Sequence, residues 1–267
     1  MLHGKTGLIL GVANHRSIAW AIAKSAAAAG AELVLTAQNE RFAKSLNELA
    51  PELGGKALVT TCDVATAGDI ERLMDFVKRE RGGLDFLVHC LAFAPREELD
   101  GEYVGTSASG FATALNVSAH SLTEVTRAAL PLMEGRNAAV LTLSYIGAER
   151  VIPHYNVMGV AKAALEASVR YLAADLGPRG HRVNAISAGP LSTLAAAGVS
   201  GFSSMLDIVA ARSAMKRNVE AAEVGDAAAF LLSPMSRGIT GSVLHVDCGF
   251  SIMGLLAPDD GGPLASG

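Results

Sequence analysis

Cysteine is scarce in this chain. Three occur in 267 residues, Cys62, Cys90 and Cys248, odd in number and far apart. That fits neither a disulfide framework nor a zinc-binding pattern, and points to reduced, mostly buried thiols in a cytoplasmic protein. Charge of one sign is not in excess: 22 basic side chains stand against 26 acidic ones, which gives no electrostatic reason to expect nucleic acid or an anionic membrane as a partner. Long apolar runs are missing too. MLHGKTGLILGVA is too short to cross a bilayer and lacks the layout of a signal peptide. The Ala-rich AWAIAKSAAAAGAELVLTA is broken by Lys24, Ser25, Gly30 and Glu32, so it reads as a helix followed by a strand. The 28 glycines keep no collagen-like period. Without a secretory signal, the glycosylation match at Asn116-Val117-Ser118 is set aside. Aromatics make up only 5%, so each of the four tyrosines calls for scrutiny.

Half of the residues are hydrophobic, enough for a sizeable core and against disorder. Short apolar runs alternate with helical stretches. Strands are expected at Thr6–Leu10, Leu33–Ala37, Ala57–Cys62, Phe86–Cys90, Ala139–Ser144, Val183–Ser187 and Val243–Val246. Helices are expected at Ile18–Ala29, Arg41–Glu48, Ile70–Arg81, Phe111–Met133, Tyr155–Asp175 and Glu220–Leu232. Several strands are apolar throughout, as when helices cover both faces of a sheet. The pattern predicts an α/β fold: a doubly wound, Rossmann-type parallel sheet of about seven strands. With no internal repeat and no dividing linker, residues 1–255 read as one domain and 256–267 as a flexible tail. Gly189–Ala214, rich in Ser, Ala and Gly, reads as a loop with weak helix, of a length usual for a lid or binding segment.

Ligands of such sheets bind beyond the carboxyl ends of the strands. The first strand runs into GVANHRSIAW, where Gly11 permits a tight turn, Ser17 can cap the next helix, and the helix N-terminus attracts a pyrophosphate. This is not GxGxxG, and a plain strand-to-helix turn explains it about as well. After the second strand come Gln38, Asn39, Glu40 and Arg41. An acidic residue there favours NAD and a basic one NADP, so the choice stays open on these residues. Asp63-Val64, after the third strand, is placed either to grip an adenine edge or to cap a helix.

YNVMGVAK sets Tyr155 seven residues before Lys162. In a helix that is nearly two turns, about 10 Å along one face. Gly159 leaves that face bare, so a ligand has room against the backbone there. Ten residues upstream, in LTLSYIGAER, Tyr145 ends a strand. Two phenols and an ammonium at one mouth of the sheet suit a reaction that builds negative charge on a carbonyl oxygen. The lysine suits ribose hydroxyls. For any one of these tyrosines, packing is the competing explanation.

GVANHRSIAWAIA, CDVA, LAFAP, LTLSYIGAERVIPHYNVMGVAKAALEASVRYLA, RVNAISAGPLSTLA and ITGSVLHVDCGFSIMG together resemble the short-chain dehydrogenase/reductase superfamily. Within it the chain is similar to the bacterial enoyl-acyl-carrier-protein reductases, over about residues 3–254. The Tyr-x6-Lys spacing and the upstream Tyr145 set that family apart from the commoner Tyr-x3-Lys reductases. The resemblance implies hydride transfer from NADH, with NADPH less favoured, to the β-carbon of a trans-2-enoyl thioester, the last reductive step of fatty-acid elongation. It implies Tyr145, Tyr155 and Lys162 as the catalytic group. Cofactor contacts are implied at Gly11, Ser17, Ile18, Gln38, Asp63, Val64, Leu91, Lys162, Leu191, Ser192, Thr193, Leu194 and Ala195. Ala94, Tyr145 and Tyr155 face the acyl group, and Gly198–Met205 matches a mobile substrate-covering loop. The implied partner is the enoyl-loaded acyl carrier protein, and the implied assembly is a homotetramer, with an Ala-rich helix after Tyr155 to support it.

Three places depart from the family pattern. Leu191-Ser192-Thr193 stands where Ile-Arg-Thr is frequent, which removes a positive charge beside the lid and bears on docking of an acidic carrier. Cys248 stands where VDGG is usual and is expected to relax close packing. Asn116 resembles the helix asparagine of ordinary short-chain reductases, or makes a structural hydrogen bond. Two other readings remain at this point: a ketone or alcohol reductase, against which the Tyr–Lys spacing speaks, and a nucleotide-binding regulator without turnover, which would be expected to have lost a polar site residue.

Overall fold

The structure, a computed structural model, describes residues 1–192 and 202–254. Seven strands form one parallel sheet: β1 (Thr6–Leu10), β2 (Glu32–Ala37), β3 (Ala57–Thr61), β4 (Phe86–His89), β5 (Ala139–Ser144), β6 (Arg182–Ala188) and β7 (Val243–Val246). Their order is β3-β2-β1-β4-β5-β6-β7. Every pairing is parallel, as in Leu8 opposite Val34 on one side and Leu87 on the other. The helices are α1 (Ile18–Ala28), α2 (Glu40–Leu49), α3 (Asp69–Arg81), α4 (Ala108–Leu115), α5 (Ser121–Met133), α6 (Asn156–Leu176), α7 (Phe202–Arg212) and α8 (Ala221–Leu232).

Alternation along the strands divides the core in two. Ile9, Leu33, Leu35, Phe86, Val88 and Leu141 turn to one face, where Ile22, Ala26, Leu46, Ala228 and Leu231 of the covering helices pack on them. Leu8, Leu10, Val34, Leu87 and Val140 turn to the other, against Leu73, Val77, Val125, Leu165 and Val169. Side chains at successive positions of a strand point to opposite faces, which is why strands buried on both sides read as unbroken apolar runs.

The strands lie where the apolar runs place them, within a residue at either end. The helices differ in two places. The expected helix Phe111–Met133 is three pieces: α4, one turn of π-helix at Asn116–His120, and α5. A π turn carries an extra residue per turn, recurs at functional sites, and has no signature in apolar periodicity. Gly189–Ala214, expected as a loop with weak helix, carries a helix of eleven residues, α7. The tail 256–267 lies outside the described residues. Cys248 is buried, it holds a left-handed φ of 55°, and its carbonyl accepts from the Met215 N–H at 3.1 Å. The Asp247 carboxylate accepts from the Gly249 and Ser251 N–H groups at 2.9 and 2.8 Å and fixes the turn.

Candidate active site

The sheet order reverses direction at β1, whose neighbours are β2 and β4. At such a switch point the connections leave to opposite faces and open a crevice beyond the strand ends. Gly11 leaves β1 there at φ +84°, and a Cβ on it would run into the Cys90 carbonyl oxygen and approach Leu91. Only glycine meets both conditions, a left-handed turn and a neighbouring backbone in contact. Ser17 caps α1: its hydroxyl donates to the Asn14 carbonyl at 2.7 Å and accepts from the Trp20 N–H at 3.3 Å. With the hydroxyl engaged in the turn, Ile18 opens a helix whose first N–H groups and dipole face the crevice, a ready anion site.

Gln38 and Asp63 meet across the ends of β2 and β3. Gln38 Nε2 donates to Asp63 Oδ2 at 3.0 Å, and the Ala65 N–H donates to Asp63 Oδ1 at 3.0 Å. Asp63 therefore does not cap a helix, since the residue preceding α3 is Gly68. Val64 is half-buried beside the core, as is Leu191, while Ser192 is exposed. Thr193, Leu194, Ala195 and the part of the expected covering loop as far as residue 201 lie outside the described residues, while its last residues, 202–205, open α7.

Tyr145 follows β5 directly, and Tyr155 is the residue before α6. The structure brings them together, ring centroids 5.1 Å apart and planes at 70°, edge to face. Burial pushes the Tyr145 phenol up to about 12. Tyr155 is pushed up further by burial and then by the Tyr145 phenol. Both stay protonated donors at neutral pH. Tyr145 Oη also contacts Met205 Sδ of α7 at 3.8 Å.

Lys162 lies one residue short of two helical turns into α6 and is almost completely buried, its Nζ donating to the Leu143 carbonyl at 2.7 Å. Burial pulls this ammonium down to about 8, and the neighbouring Cys90 and Glu166 partly hold it up. It remains protonated at neutral pH. The expectation that a ligand lies against Gly159 fails. A Cβ there would stand 2.8 Å from the Gly147 carbonyl oxygen, because the turn after Tyr145 packs on α6 at that point. The missing side chain makes room for protein.

Several residues at the site gave no sign in the sequence. His89 is fully buried between Thr142 Oγ1 at 3.0 Å and Ser121 Oγ at 2.8 Å, and burial lowers it to about 3, a neutral imidazole. Glu166 accepts from Ser144 Oγ, and burial raises its carboxyl against that bond. Ser118 holds the Phe93 backbone, and Asn156, next to Tyr155, holds the carbonyls of Leu99 and Gly101. Asn116 opens the π turn and is exposed. Ala94 is half-buried in the segment after β4. Among the described residues no group of histidines, cysteines and carboxylates is placed to hold a metal.

A parallel sheet with this order, a glycine turn at the switch point, and a tyrosine and a lysine at the start of one helix mark a short-chain dehydrogenase/reductase. The finer assignment comes from comparison. The family model described as enoyl-(acyl carrier protein) reductase matches residues 11–251. The enoyl-acyl-carrier-protein reductase (NADH) of Aquifex aeolicus is 48% identical over 260 residues, 97% of this chain and 96% of that protein. That of Bacillus cereus is 51% identical over 256 residues, covering 95% and 99%. Among solved structures, the Bacillus cereus enzyme with NADP+ and an indole naphthyridinone superposes with a TM-score of 0.93 at 50% identity, over 95% of this chain and 99% of that one. The Anaplasma phagocytophilum enzyme in complex with NAD gives 0.91 at 49%, over 96% and 97%. The chain belongs to the enoyl-acyl-carrier-protein reductase family.

Proposed function

We propose that this chain reduces trans-2-enoyl groups carried on acyl carrier protein, with NADH as reductant, at the last reductive step of fatty-acid elongation. The observation that carries the reading is the edge-to-face pair of neutral tyrosines, with a buried ammonium further along the same helix, in a chain about half identical to such reductases over nearly all its length. The crevice fits a dinucleotide: Gly11 leaves backbone bare at the switch point, the α1 N-terminus suits the pyrophosphate, and Gln38 with Asp63 suits the adenosine. The bound cofactor supplies the hydride.

Every other role belongs to the chain. Negative charge collects on the thioester oxygen as the β-carbon is reduced. Tyr155, kept protonated by burial, donates a hydrogen bond or its proton to that oxygen, and Tyr145 orients the acyl group from the adjoining edge. A donor aimed at such an oxygen contributes about 3 kcal/mol in a dry site. Lys162 holds the ribose hydroxyls and acts by position and charge. Gly11, Ser17, Ile18, Val64, Leu91 and the run Leu191–Ala195 line the cofactor, and Ala94 faces the acyl chain. The Asp63 carboxylate beside Gln38 opposes a 2′-phosphate, which favours NADH. The partner is the enoyl-loaded carrier protein and the assembly a homotetramer. No helix among the described residues is long and apolar enough to cross a membrane, and we place the enzyme in the cytoplasm.

The test follows reduced-nicotinamide absorbance with a trans-2-enoyl thioester, NADH and NADPH in parallel. Rapid loss with NADH and slow loss with NADPH is expected. A protein that binds NADH and leaves the enoyl thioester intact while reducing a β-ketoacyl thioester would replace this reading with ketone reduction.

A further inference from the structure

Two side chains outside the tyrosine–lysine set hold the segment that leaves β4. Residues 91–101 run from the end of that strand and carry Leu91, Ala94 and a single 3-10 turn at Arg96–Glu98. At the near end Ser118, fully buried in the π turn, accepts from the Phe93 N–H and donates to the Phe93 carbonyl, both at 2.9 Å. At the far end Asn156 Nδ2 donates to the carbonyls of Leu99 and Gly101, both at 3.2 Å. The buried Glu98 accepts from the N–H and hydroxyl of Ser107 at the start of α4, which anchors the segment from a third side.

Asn156 follows Tyr155 directly and opens α6 with a left-handed φ of 36°, and His154 on the other flank has φ +60°. Such backbone is costly for most side chains and is tolerated best by glycine and asparagine. Asparagine meets a second need as well, since its amide nitrogen has two hydrogens for two carbonyls. Aspartate would keep the shape and the backbone tolerance but turn acceptors toward those carbonyls. Glycine would keep the backbone and lose the tie.

Resting on the enoyl-thioester reading, we propose that Asn156 is a positioning residue for the reaction. Its amide, acting with Ser118, sets the spacing between Tyr155 and the segment bearing Ala94, and so holds the acyl thioester against the tyrosine hydroxyl. Gly11 meets this segment at its near end, against Cys90 and Leu91, whereas Asn156 grips the far end at Leu99 and Gly101, so a spacing role for Asn156 spares nucleotide binding.

The experiment compares Asn156→Gly, Asn156→Asp and Ser118→Ala with the parent enzyme. It reads kcat and KM for a trans-2-enoyl thioester, NADH affinity by fluorescence, and hydrogen exchange of three amides on either side of the Asn156 tie: Leu99, which donates to the Arg96 carbonyl, and Gly105 and Thr106, which donate to the Glu102 and Tyr103 carbonyls just after Gly101. Each Asn156 variant is expected to lose about ten- to thirtyfold in kcat/KM, the scale of one or two neutral hydrogen bonds. NADH affinity should stay within about twofold and the three amides should exchange faster. Ser118→Ala should move in the same direction. Parent-like kinetics in Asn156→Gly would overturn the proposal, leaving only a backbone role. NADH affinity lost in step with kcat/KM would also overturn it, leaving a residue that merely holds the fold. A parent that binds NADH but does not reduce the thioester, with exchange still accelerated in the variants, would retain the tie and remove the substrate assigned to it.

Discussion

At the scale of single residues, the proposed chemistry rests on what burial does to three protons. Tyr155 and Tyr145 are half-buried, and desolvation holds both phenols up, so they remain donors. Tyr155→Phe removes a donor aimed at developing charge while keeping the ring against Tyr145. The expected loss in kcat is about a hundredfold or more, with NADH affinity unchanged by titration. A fall of less than tenfold would move the donor's role elsewhere. Lys162 is shifted the opposite way, its ammonium lowered to about 8 by burial. NADH binding that uses the ammonium must recapture a proton above that pH. Affinity should therefore be flat from pH 6 to about 7.5 and weaken above 8, approaching tenfold per pH unit, and Lys162→Ala should bind weakly with no such slope. Equal slopes in both proteins would exclude Lys162 as the titrating group. These three residues stand out in the sequence because the proposed chemistry calls for those side-chain types at that spacing, and the structure puts the two tyrosines in contact. Ser118 and Asn156 were not, because a serine or an asparagine acquires its meaning only from the backbone it meets, 25 residues away for Ser118 and more than 50 for Asn156.

At the scale of elements, the site depends on how α6 sits on the turn after β5. Gly159 and Gly147 let the two backbones touch, with the Tyr155 ring lying against Gly147. Gly159→Ala would place its Cβ 2.8 Å from the Gly147 carbonyl oxygen. Neither partner is the free end of a flexible side chain, so the helix or the turn must shift. A destabilisation of about 1–3 kcal/mol is expected from the overpacking, together with a drop in turnover as the Tyr145–Tyr155 contact opens. Thermal melts and kinetics on one preparation check both, and a stable, fully active Gly159→Ala would show that the contact has slack. Apolar runs revealed the elements but not this contact. Glycine inside a helix reads as an opening, and only tertiary packing decides whether ligand or protein fills it. The π turn escaped for a related reason, since it keeps the apolar stripe of the helices on both sides.

At the scale of the molecule, the sheet order was within reach of the sequence, because alternating helices and fully apolar strands leave few ways to wind a parallel sheet. The faces left bare were not. Among the described residues β7 pairs with β6 alone, and a strand edge left without a neighbour invites pairing or cover from another chain. Beside it, Glu149 meets His245 at 3.2 Å, and Arg150 donates to the Ser251 and Met253 carbonyls. These contacts tie Glu149 to β7 and Arg150 to the turn after it, and the apolar Val151, Leu244 and Ile252 on these pieces are exposed at 96, 39 and 78%. Exposed apolar side chains of this kind suit a self-complementary contact. We propose that the homotetramer uses this face for one of its interfaces. Light scattering should give four times the chain mass of 27.4 kDa. Leu244→Glu, which places like charges across a two-fold contact, should shift the population to smaller species while each chain keeps its helical content. A parent at the mass of one chain would refute the assembly, and a Leu244→Glu tetramer as robust as the parent would move the interface to another face.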